Sequence, residues 1–204
     1  MAQPCKMTAV YNIPMVDSIS KTDYAQFVKD LRRRDPSAIT QLYNTYADRI
    51  YSLVFHQVGR NHEVAQDIVQ ETFIAALKSA AKFRNKSKVY TWLCSIANNK
   101  VSDFYRRQKR QDKYQISKAL EPDQIADETL AVATIESTER QEDAKQALLS
   151  LPLHYRQVLI FKYIEEMPVL EIGKIMGRSP KSIEGLLTRA RKELRAKLAI
   201  PSEG

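Results

Sequence analysis

The apolar positions of the chain recur mostly at three- and four-residue steps, the spacing of a helix that packs one face on a core. The clearest stripe lies within residues 36–57 and consists of Ile39, Leu42, Tyr43, Tyr46, Ile50, Leu53 and Val54. Asp35 can cap that helix, Pro36 suits its first position, and Gly59 can end it. Glycine is scarce, at five residues, and no regular alternation of apolar and polar positions persists. The pattern therefore predicts an all-α protein.

Further stripes predict a bundle of helices over residues 22–110. A short helix begins near Thr22, Asn61 can cap the third helix, and a long fourth helix begins near Ser87. Cys94 falls in an apolar stretch of that last helix, where a small buried side chain is the simplest interpretation. These residues form the first of two predicted helical domains.

A second, smaller helical domain is predicted from about residue 140 to residue 199. One helix ends near Pro152 and another follows it; a short helix then closes at Gly177, and Ser179 can cap a longer basic helix. A short helix, a tight glycine-containing turn and a longer basic helix are typical of the helix-turn-helix motif. As a string this signal is weak, but the two helices have matching apolar faces.

Residues 111–143 separate the two domains and differ from both. They carry nine acidic against three basic side chains, a net charge of −6, and Pro122 interrupts their fading periodicity. We expect an acidic flexible linker over residues 111–140, together with a mobile extension over residues 1–20 and a short tail over 200–204. A stretch of about 33 residues reaches at most about 110–120 Å, at roughly 3.3–3.6 Å per residue.

The chain carries a net charge of +8, which favours a polyanionic partner. Much of that charge lies in residues 82–110, where nine basic side chains face the single acid Asp103. The aromatic residues interleaved there are Phe83, Tyr90, Trp92, Phe104 and Tyr105. Basic side chains track phosphates while rings stack on unpaired bases, each stack contributing roughly 1–3 kcal/mol. The segment therefore predicts binding to single-stranded or opened DNA, although Trp92 is better explained as a core residue.

The motifs of common enzymes are missing from the sequence. It contains no GxxxxGK[ST] phosphate loop, no GxSxG elbow and no HExxH pair. The acidic pairs Glu165–Glu166 and Asp127–Glu128 are interpreted as solvated charges. We predict that the protein is not an enzyme and needs no cofactor.

Metal and membrane sites are not indicated either. The two cysteines form no CxxC pair and the three histidines are scattered, which argues against a zinc site and a disulfide scaffold. No apolar run reaches membrane-spanning length, and the first 20 residues lack the apolar centre of a signal peptide. We expect a cytoplasmic protein without membrane insertion.

Two sets of motifs together resemble the extracytoplasmic-function group of the bacterial sigma-70 family. The first set is "DIVQETFIAAL" followed by "FRNKSKVYTWLCSIANNKVSDFYRRQKR", and the second is "LEIGKIMGRSPKSIEGLLTRARKEL". The resemblance implies sigma region 2 at residues 21–110 and sigma region 4 at residues 141–199, with the helix-turn-helix of region 4 at residues 168–195. It implies a factor that binds core RNA polymerase, through the β′ clamp helices and the β subunit, and directs initiation by recognising and melting promoter DNA. An anti-sigma factor or another recruiting protein is a further implied partner.

The resemblance also assigns roles to individual residues. Asp67, Gln70 and Glu71 would contact the β′ clamp helices, while Phe73 stays in the core. The loop that captures a flipped base of the minus-ten element corresponds to Phe83, Arg84, Asn85, Lys86, Ser87 and Lys88. The DNA-facing helix after it supplies Asn98, Asn99, Asp103, Arg106 and Arg107. The minus-thirty-five element would be read by Ser179, Lys181, Ser182, Glu184, Gly185, Thr188 and Arg189.

Glu184 is an unusual residue for the early turns of a DNA-reading helix. A carboxylate can accept a hydrogen bond from a cytosine amino group, so Glu184 can read a base directly. It can also pair along the helix with Thr188 or Arg191. The other hypothesis is that upstream recognition is weak and that a partner protein, contacting the second domain through Leu186, helps to place the factor on DNA.

A stand-alone helix-turn-helix regulator is the competing interpretation. It explains residues 153–197 equally well, but it leaves the aromatic and basic segment beside "DIVQETF" unexplained. A purely protein-binding adaptor would leave both basic clusters unexplained.

Overall fold

The computed structural model describes residues 21–85, 87–118 and 137–198, with side chains placed at 23–85, 87–111 and 142–198. The described residues form helices and no strand, which confirms the predicted all-α fold. The helices are α1 (Lys21–Arg33), α2 (Pro36–Gln57), α3 (His62–Ser79), α4 (Val89–Lys118), α5 (Ser137–Leu149), α6 (Leu153–Leu159), α7 (Val169–Met176) and α8 (Pro180–Leu198). The predicted extension, the predicted tail and residues 119–136 of the predicted linker lie outside the described residues.

Side-chain caps fix where α2 and α3 begin. The Asp35 carboxylate accepts hydrogen bonds from the backbone N–H groups of Ser37 and Ala38, and Pro36 follows it as the first helical residue. A hydrogen bond from the Ser37 hydroxyl, aided by those backbone donors, lowers the pKa of Asp35. The Asn61 side chain accepts from the Val64 N–H at 3.0 Å. Both predicted caps are confirmed.

Helices α1 to α4 form the amino-terminal unit. Helices α2, α3 and α4 pack against one another in pairs, and α1 covers one end. The largest side chains without exposed surface in this core are Leu31, Leu42, Ile50, Leu53 and Leu93. Helix α4 continues to Lys118, beyond the end near residue 110 that its fading apolar pattern indicated, so the first residues of the expected linker are helical.

Helices α5 to α8 form the carboxy-terminal unit, in which α7 and α8 make the helix-turn-helix. Gly177 ends α7 with a left-handed backbone, at φ 64°, and the Ser179 hydroxyl accepts from the Ser182 N–H at 3.3 Å. Gly173 is required by close packing, because a Cβ there would lie 2.7 Å from the Arg178 carbonyl oxygen. The predicted helix-turn-helix is confirmed.

The two units pack directly on each other. Helix α4 lies against α7, and α2 lies against a π-helical turn, Ile160–Ile164, that continues α6. Buried apolar side chains of both units join one continuous cluster. Among the described residues, no helix combines the length and the apolar character needed to cross a membrane.

Candidate polymerase and nucleic-acid interfaces

The three residues predicted to dock polymerase lie together on α3. Asp67 and Gln70 are exposed, and Phe73 is buried in the core as expected. Glu71 is only partly exposed, because its carboxylate accepts a hydrogen bond from Lys100 Nζ of α4 at 2.9 Å. That hydrogen bond lowers the pKa of Glu71. The helix therefore presents two exposed polar side chains beside one that pairs with the neighbouring helix.

Two exposed apolar side chains extend this surface and were not predicted. Ile74 lies one turn beyond Gln70 and is 52% exposed; Tyr43 of α2 is also 52% exposed. The Tyr43 ring packs on Phe73, with 5.1 Å between ring centroids. Apolar side chains beside polar ones are typical of protein interfaces. The exposure of Tyr43 could not be predicted from the sequence, because its spacing places it on the same apolar stripe as the core residues.

Phe83 does not belong to the exposed part of the predicted minus-ten loop. Its side chain is buried and packs on Trp92, with 4.8 Å between ring centroids, and its carbonyl accepts from Arg32 Nε at 2.7 Å. The core therefore holds the ring away from any base, which corrects its assignment to DNA.

The rest of that loop is more accessible. Arg84, Asn85 and Lys88 are exposed, and Ser87 is half-buried. Asn85 has a left-handed backbone at φ 52°, so the chain turns sharply at the tip of the loop. Lys86 lies outside the described residues.

The predicted DNA-facing residues lie on two different faces of helix α4. Asn99, Arg106 and Arg107 are exposed, and Asp103, which is partly exposed, forms an ion pair with Arg106. Asn98 is only 6% exposed, and its side-chain oxygen has no hydrogen-bond partner. Successive helical residues are about 100° apart, so Asn98 points away from the face that carries Asn99 and Arg106. Its prediction as a DNA contact is therefore corrected.

Asn98 lies on the face of α4 that meets the carboxy-terminal unit. Thr91, seven residues before it, donates to the Glu171 carboxylate at 3.1 Å. Ser102, four residues after it, accepts from Gln157 Nε2 at 3.3 Å. Tertiary contact, which the α4 sequence does not reveal, thus determines which asparagine is accessible.

A polar cluster of Arg49, Tyr90 and Glu165 lies on one side of the contact between the two units, which we call the junction. The Tyr90 hydroxyl donates to the Glu165 carboxylate, and Arg49 Nε lies 3.4 Å from the same carboxylate oxygen. The Arg49 guanidinium also lies over the Tyr90 ring, 3.8 Å from its centroid. The Glu165 side chain is 7% exposed, so the expectation that Glu165 is a solvated charge is wrong. Burial raises the pKa values of Tyr90 and the adjacent Cys94 thiol.

Arg156 occupies the other side of the junction without a carboxylate among its hydrogen-bond acceptors in the described residues. It donates from Nη1 to the Gln57 carbonyl at 2.9 Å and to the Tyr105 hydroxyl at 2.8 Å, and from Nη2 to the Leu149 carbonyl. Within the residues whose side chains are placed, three buried polar atoms lack a partner: Gln57 Nε2, Asn98 Oδ1 and Arg156 Nε. Each such atom costs about 1–3 kcal/mol, so the junction is imperfectly satisfied.

The helix predicted to read the upstream element, α8, presents its residues to solvent. The exposed members are Ser179, Lys181, Glu184, Gly185, Thr188 and Arg189, and Ser182 is half-buried. Thr188 donates to the backbone carbonyl of Glu184 at 3.0 Å, and Arg191 Nη2 donates to the Thr188 hydroxyl at 3.4 Å. Neither of these two hydrogen bonds uses the Glu184 carboxylate.

Leu186 is 1% exposed and packs in the core of the carboxy-terminal unit. It therefore cannot provide the partner contact that the sequence suggested. The exposed His154 of α6 was not predicted as part of this surface. Burial, followed by the charges of Arg178 and Arg189, lowers the pKa of His154. No group of three or more His, Cys, Asp or Glu side chains that could hold a metal occurs in the described part of the chain.

Comparison with known families matches both units in chain order. Residues 42–111 match the family described as Sigma-70 region 2, and residues 141–194 match Sigma-70, region 4. The chain is 32% identical over 178 residues to the ECF RNA polymerase sigma factor SigW of Bacillus subtilis, covering 84% of this chain and 94% of SigW. It is 31% identical over 180 residues to the RNA polymerase sigma factor YlaC of the same organism, covering 85% and 98%.

Two solved structures share the fold. CnrH, in complex with the cytosolic domain of CnrY, aligns with a TM-score of 0.63 at 23% identity, covering 88% of this chain and 99% of CnrH. The sigma factor RpoE of Bartonella quintana, in complex with the anti-sigma factor NepR, aligns with a TM-score of 0.58 at 21% identity, covering 79% and 97%. At these identities the likeness concerns the arrangement of helices alone.

Proposed function

The chain belongs to the extracytoplasmic-function group of the sigma-70 family, and from that membership we propose which of its surfaces bind core RNA polymerase and promoter DNA. The protein is a promoter-specific initiation factor. The observation that carries the proposal is the order of the two matches, each on a unit that presents an exposed basic helix. A stand-alone helix-turn-helix regulator is not favoured, because it does not account for the match of residues 42–111.

We assign docking on core polymerase to α3. Asp67 and Gln70 provide polar contacts, and the exposed side chains of Ile74 and Tyr43 provide apolar area that polymerase can bury. Glu71 contributes mainly by pairing with Lys100, which adds one polar contact to the packing of α3 on α4. The packing of α3 on α4 places the docking surface and the DNA surface on neighbouring helices.

Promoter melting is assigned to the exposed loop residues and to the outer face of α4. Arg84 and Lys88 contact phosphates, and Asn85, at the turn of the loop, lies beside a flipped base. Asn99 and Arg107 continue the surface along α4. Capturing an unstacked base offsets an opening cost of a few kcal/mol, so binding alone favours strand separation. No covalent step is required, which is why we propose a non-enzymatic factor. We also propose that it acts in the cytoplasm, where core polymerase and promoter DNA are found.

Upstream recognition is assigned to the exposed face of α8. Glu184 accepts from a base amino group, Arg189 and Lys181 contact the DNA, and Gly185 lets the helix approach closely. We further propose that an anti-sigma factor regulates this protein, since two structures with the same fold are complexes with CnrY and with NepR.

Transcription with purified components tests the proposal. We expect the protein to direct core polymerase to start transcripts at a defined promoter, and the variant Asp67→Ala, Gln70→Ala, Glu71→Ala to lose most core binding while remaining helical. A control variant, Gln41→Ala, Asn44→Ala, Asp48→Ala, alters exposed polar residues of α2 and should bind normally. Equal co-purification of both variants with core polymerase would exclude α3 as the docking helix.

A further inference from the structure

We propose that helix α1 holds both ends of the minus-ten loop, residues 83–88, and so sets the backbone shape with which the loop captures a base. Tyr24 and Arg32 are the positioning residues, and each acts through the backbone at one end of the loop. The inference rests on the proposed function, because it takes this loop as the element that holds a flipped base. It gives a role to α1, which ends before the residues that match Sigma-70 region 2.

The two ends of the loop are bound to the same helix by hydrogen bonds between residues far apart in the chain. At the start of the loop, Arg32 Nε donates to the Phe83 carbonyl at 2.7 Å. At its end, the Val89 N–H donates to the Tyr24 hydroxyl at 3.0 Å. Tyr24 and Arg32 are separated by a rise of about 12 Å along α1, at roughly 1.5 Å per residue. One helix therefore spans the base of the loop.

Both backbone groups lie where regular secondary structure leaves them without a partner. Phe83 follows a 3₁₀ turn, Ala80–Lys82, and Val89 is the first residue of α4, where helical N–H groups have no carbonyl one turn earlier to bond. Both residues are buried, and an unpaired backbone group in such surroundings is unfavourable. The positions of the two loop ends therefore depend on side chains of α1.

Helix α1 is itself fixed to the core of the amino-terminal unit. Phe27, Val28 and Leu31 are buried there, and Tyr24 packs against the same core. The helix also contacts the 3₁₀ turn that leads into the loop. Because this packing holds the helix in place, its two hydrogen bonds restrain the loop.

Between its two ends, the loop presents polar side chains to solvent. Arg84, Asn85 and Lys88 are exposed, and the backbone of Asn85 is left-handed at φ 52°. A loop that is already ordered at both ends loses less conformational entropy when it closes on an unstacked base. Releasing either end should therefore weaken base capture more than it weakens contacts made elsewhere on the promoter.

A pair of tyrosine variants isolates the hydrogen bond at the end of the loop. Tyr24→Phe removes the hydroxyl that accepts from Val89 and keeps the ring that packs on the core. Tyr51→Phe is the matched control. It removes a hydroxyl that hydrogen-bonds His62 Nδ1 at 2.6 Å, a contact that joins α2 to α3 and does not involve the loop.

A pair of arginine variants separates the hydrogen bond at the start of the loop from charge. Arg32→Met removes the donor to Phe83 together with one positive charge. Arg33→Met removes the same charge one residue further along. The Arg33 side chain is exposed, and within the part of the chain whose side chains are placed it makes no hydrogen bond or ion pair.

Binding of holoenzyme to pre-melted promoter DNA measures base capture. We use the promoter at which the purified holoenzyme starts transcripts, and replace the nucleotides of the opened minus-ten element one at a time with abasic sites. With the parent protein, the abasic site that lowers affinity most marks the captured base. Tyr24→Phe and Arg32→Met should each weaken binding to intact DNA about tenfold, but binding to DNA without that base less than about twofold.

Tyr51→Phe and Arg33→Met should bind both DNAs as the parent does. Equal weakening of Tyr24→Phe and Arg32→Met on intact and abasic DNA would overturn the proposal, because folding or a phosphate contact would then be what is lost. Parent-like binding by both variants would overturn it as well. A loss with Arg33→Met as large as that with Arg32→Met would do the same, since charge would then be the cause.

Hydrogen exchange in the free protein tests the two ends of the loop without DNA or polymerase. The Val89 amide should exchange about tenfold faster in Tyr24→Phe than in the parent, and loop amides should exchange faster in Arg32→Met, while α2 amides stay unchanged. Unchanged exchange across residues 84–89 would overturn the proposal. If exchange changes as expected but the parent holoenzyme binds no promoter, the proposed function is refuted, whereas the hold of α1 on the loop stands.

Discussion

Helices α4 and α8 are both basic, and we assign both to DNA binding, yet their predicted contact residues differ in exposure. On α8 the residues from Lys181 to Arg189 that the sequence assigned to DNA are exposed or, for Ser182, half-buried. On α4, Asn98 is buried against the other unit and Asp103 is paired with Arg106. Helix α8 is exposed along its outer face, whereas α4 packs against helices of both units.

The difference follows from how each helix is held. Helix α8 packs through an apolar stripe that includes Ile183, Leu187 and Ala190, so its opposite face is left to solvent. Helix α4 packs on α2 and α3 and then also on α7, so a polar residue on it can be buried. The local pattern determines exposure on α8, whereas tertiary contact determines it on α4.

The largest effect on stability is expected from a glycine substitution in the helix-turn-helix. Two glycines there differ, because one is needed for folding and the other lies on the face assigned to DNA. Gly173→Ala places a methyl group 2.7 Å from the Arg178 carbonyl oxygen, and that backbone cannot yield easily. We expect a loss of about 2–3 kcal/mol of stability in the carboxy-terminal unit. Hydrogen exchange of α7 and α8 amides measures it, while Trp92 fluorescence follows the amino-terminal unit.

Gly185→Ala is the matched control. A Cβ at this exposed position meets no atom within 4 Å, and alanine favours a helix over glycine by about 1 kcal/mol. We expect slower exchange in α8 together with weaker promoter binding, because the added methyl group faces DNA. Equal destabilisation by both substitutions would show that the close approach at Gly173 is not what the turn requires.

The sequence was sufficient for those features that neighbouring residues determine. The caps at Asp35 and Asn61 and the turn at Gly177 were predicted because their hydrogen bonds and backbone angles are local. The burial of Glu165 was missed, since its partners Arg49 and Tyr90 lie more than seventy residues away in the chain. Phe83 was assigned to DNA because its basic neighbours resemble a nucleic-acid loop, while its packing partner Trp92 is visible only in the fold.

The second prediction concerns base reading by α8. Replacing Glu184 with Ala should remove discrimination at one base pair of the upstream element, a loss of roughly 1–3 kcal/mol. Glu193→Ala, another exposed carboxylate on the same helix, should leave discrimination intact. Holoenzyme binding to a set of single-base promoter variants measures both. Full affinity for a promoter with a scrambled upstream element would contradict direct reading and favour recruitment by a partner.

The third prediction uses the two adjacent asparagines of α4. Asn99→Ala should reduce open-complex formation about tenfold, the effect of losing one base contact of about 1.4 kcal/mol. Asn98→Ala should leave melting unchanged, because Asn98 points away from the DNA-binding face. Permanganate reactivity of promoter thymines reports melting in each variant. A larger loss with Asn98→Ala than with Asn99→Ala would reverse the assignment of the two faces.

The smallest effect is expected from removing single ion pairs. One of these pairs joins two helices, and the other lies within one helix. The Glu71–Lys100 pair joins α3 to α4, whereas Glu142 and Lys145 pair within α5, both at 2.9 Å. Because the Glu71 side chain is 45% exposed, Glu71→Gln should cost only about 0.5 kcal/mol at pH 7. Glu142→Gln should cost less, since its partner is already held nearby by the same helix.

Lowering the pH provides an internal control for the comparison of wild type with Glu71→Gln. The hydrogen bond to Lys100 lowers the pKa of Glu71 below its ordinary value of 4.5. The stabilising contribution is therefore complete above pH 4.5 and is lost as the pH falls through the lower pKa of the folded state. We expect the difference between wild type and Glu71→Gln, measured by urea unfolding with Trp92 fluorescence, to shrink below that pH. A difference that persists at pH 3 would mean that packing of the Glu71 side chain, and not its charge, holds α3 on α4.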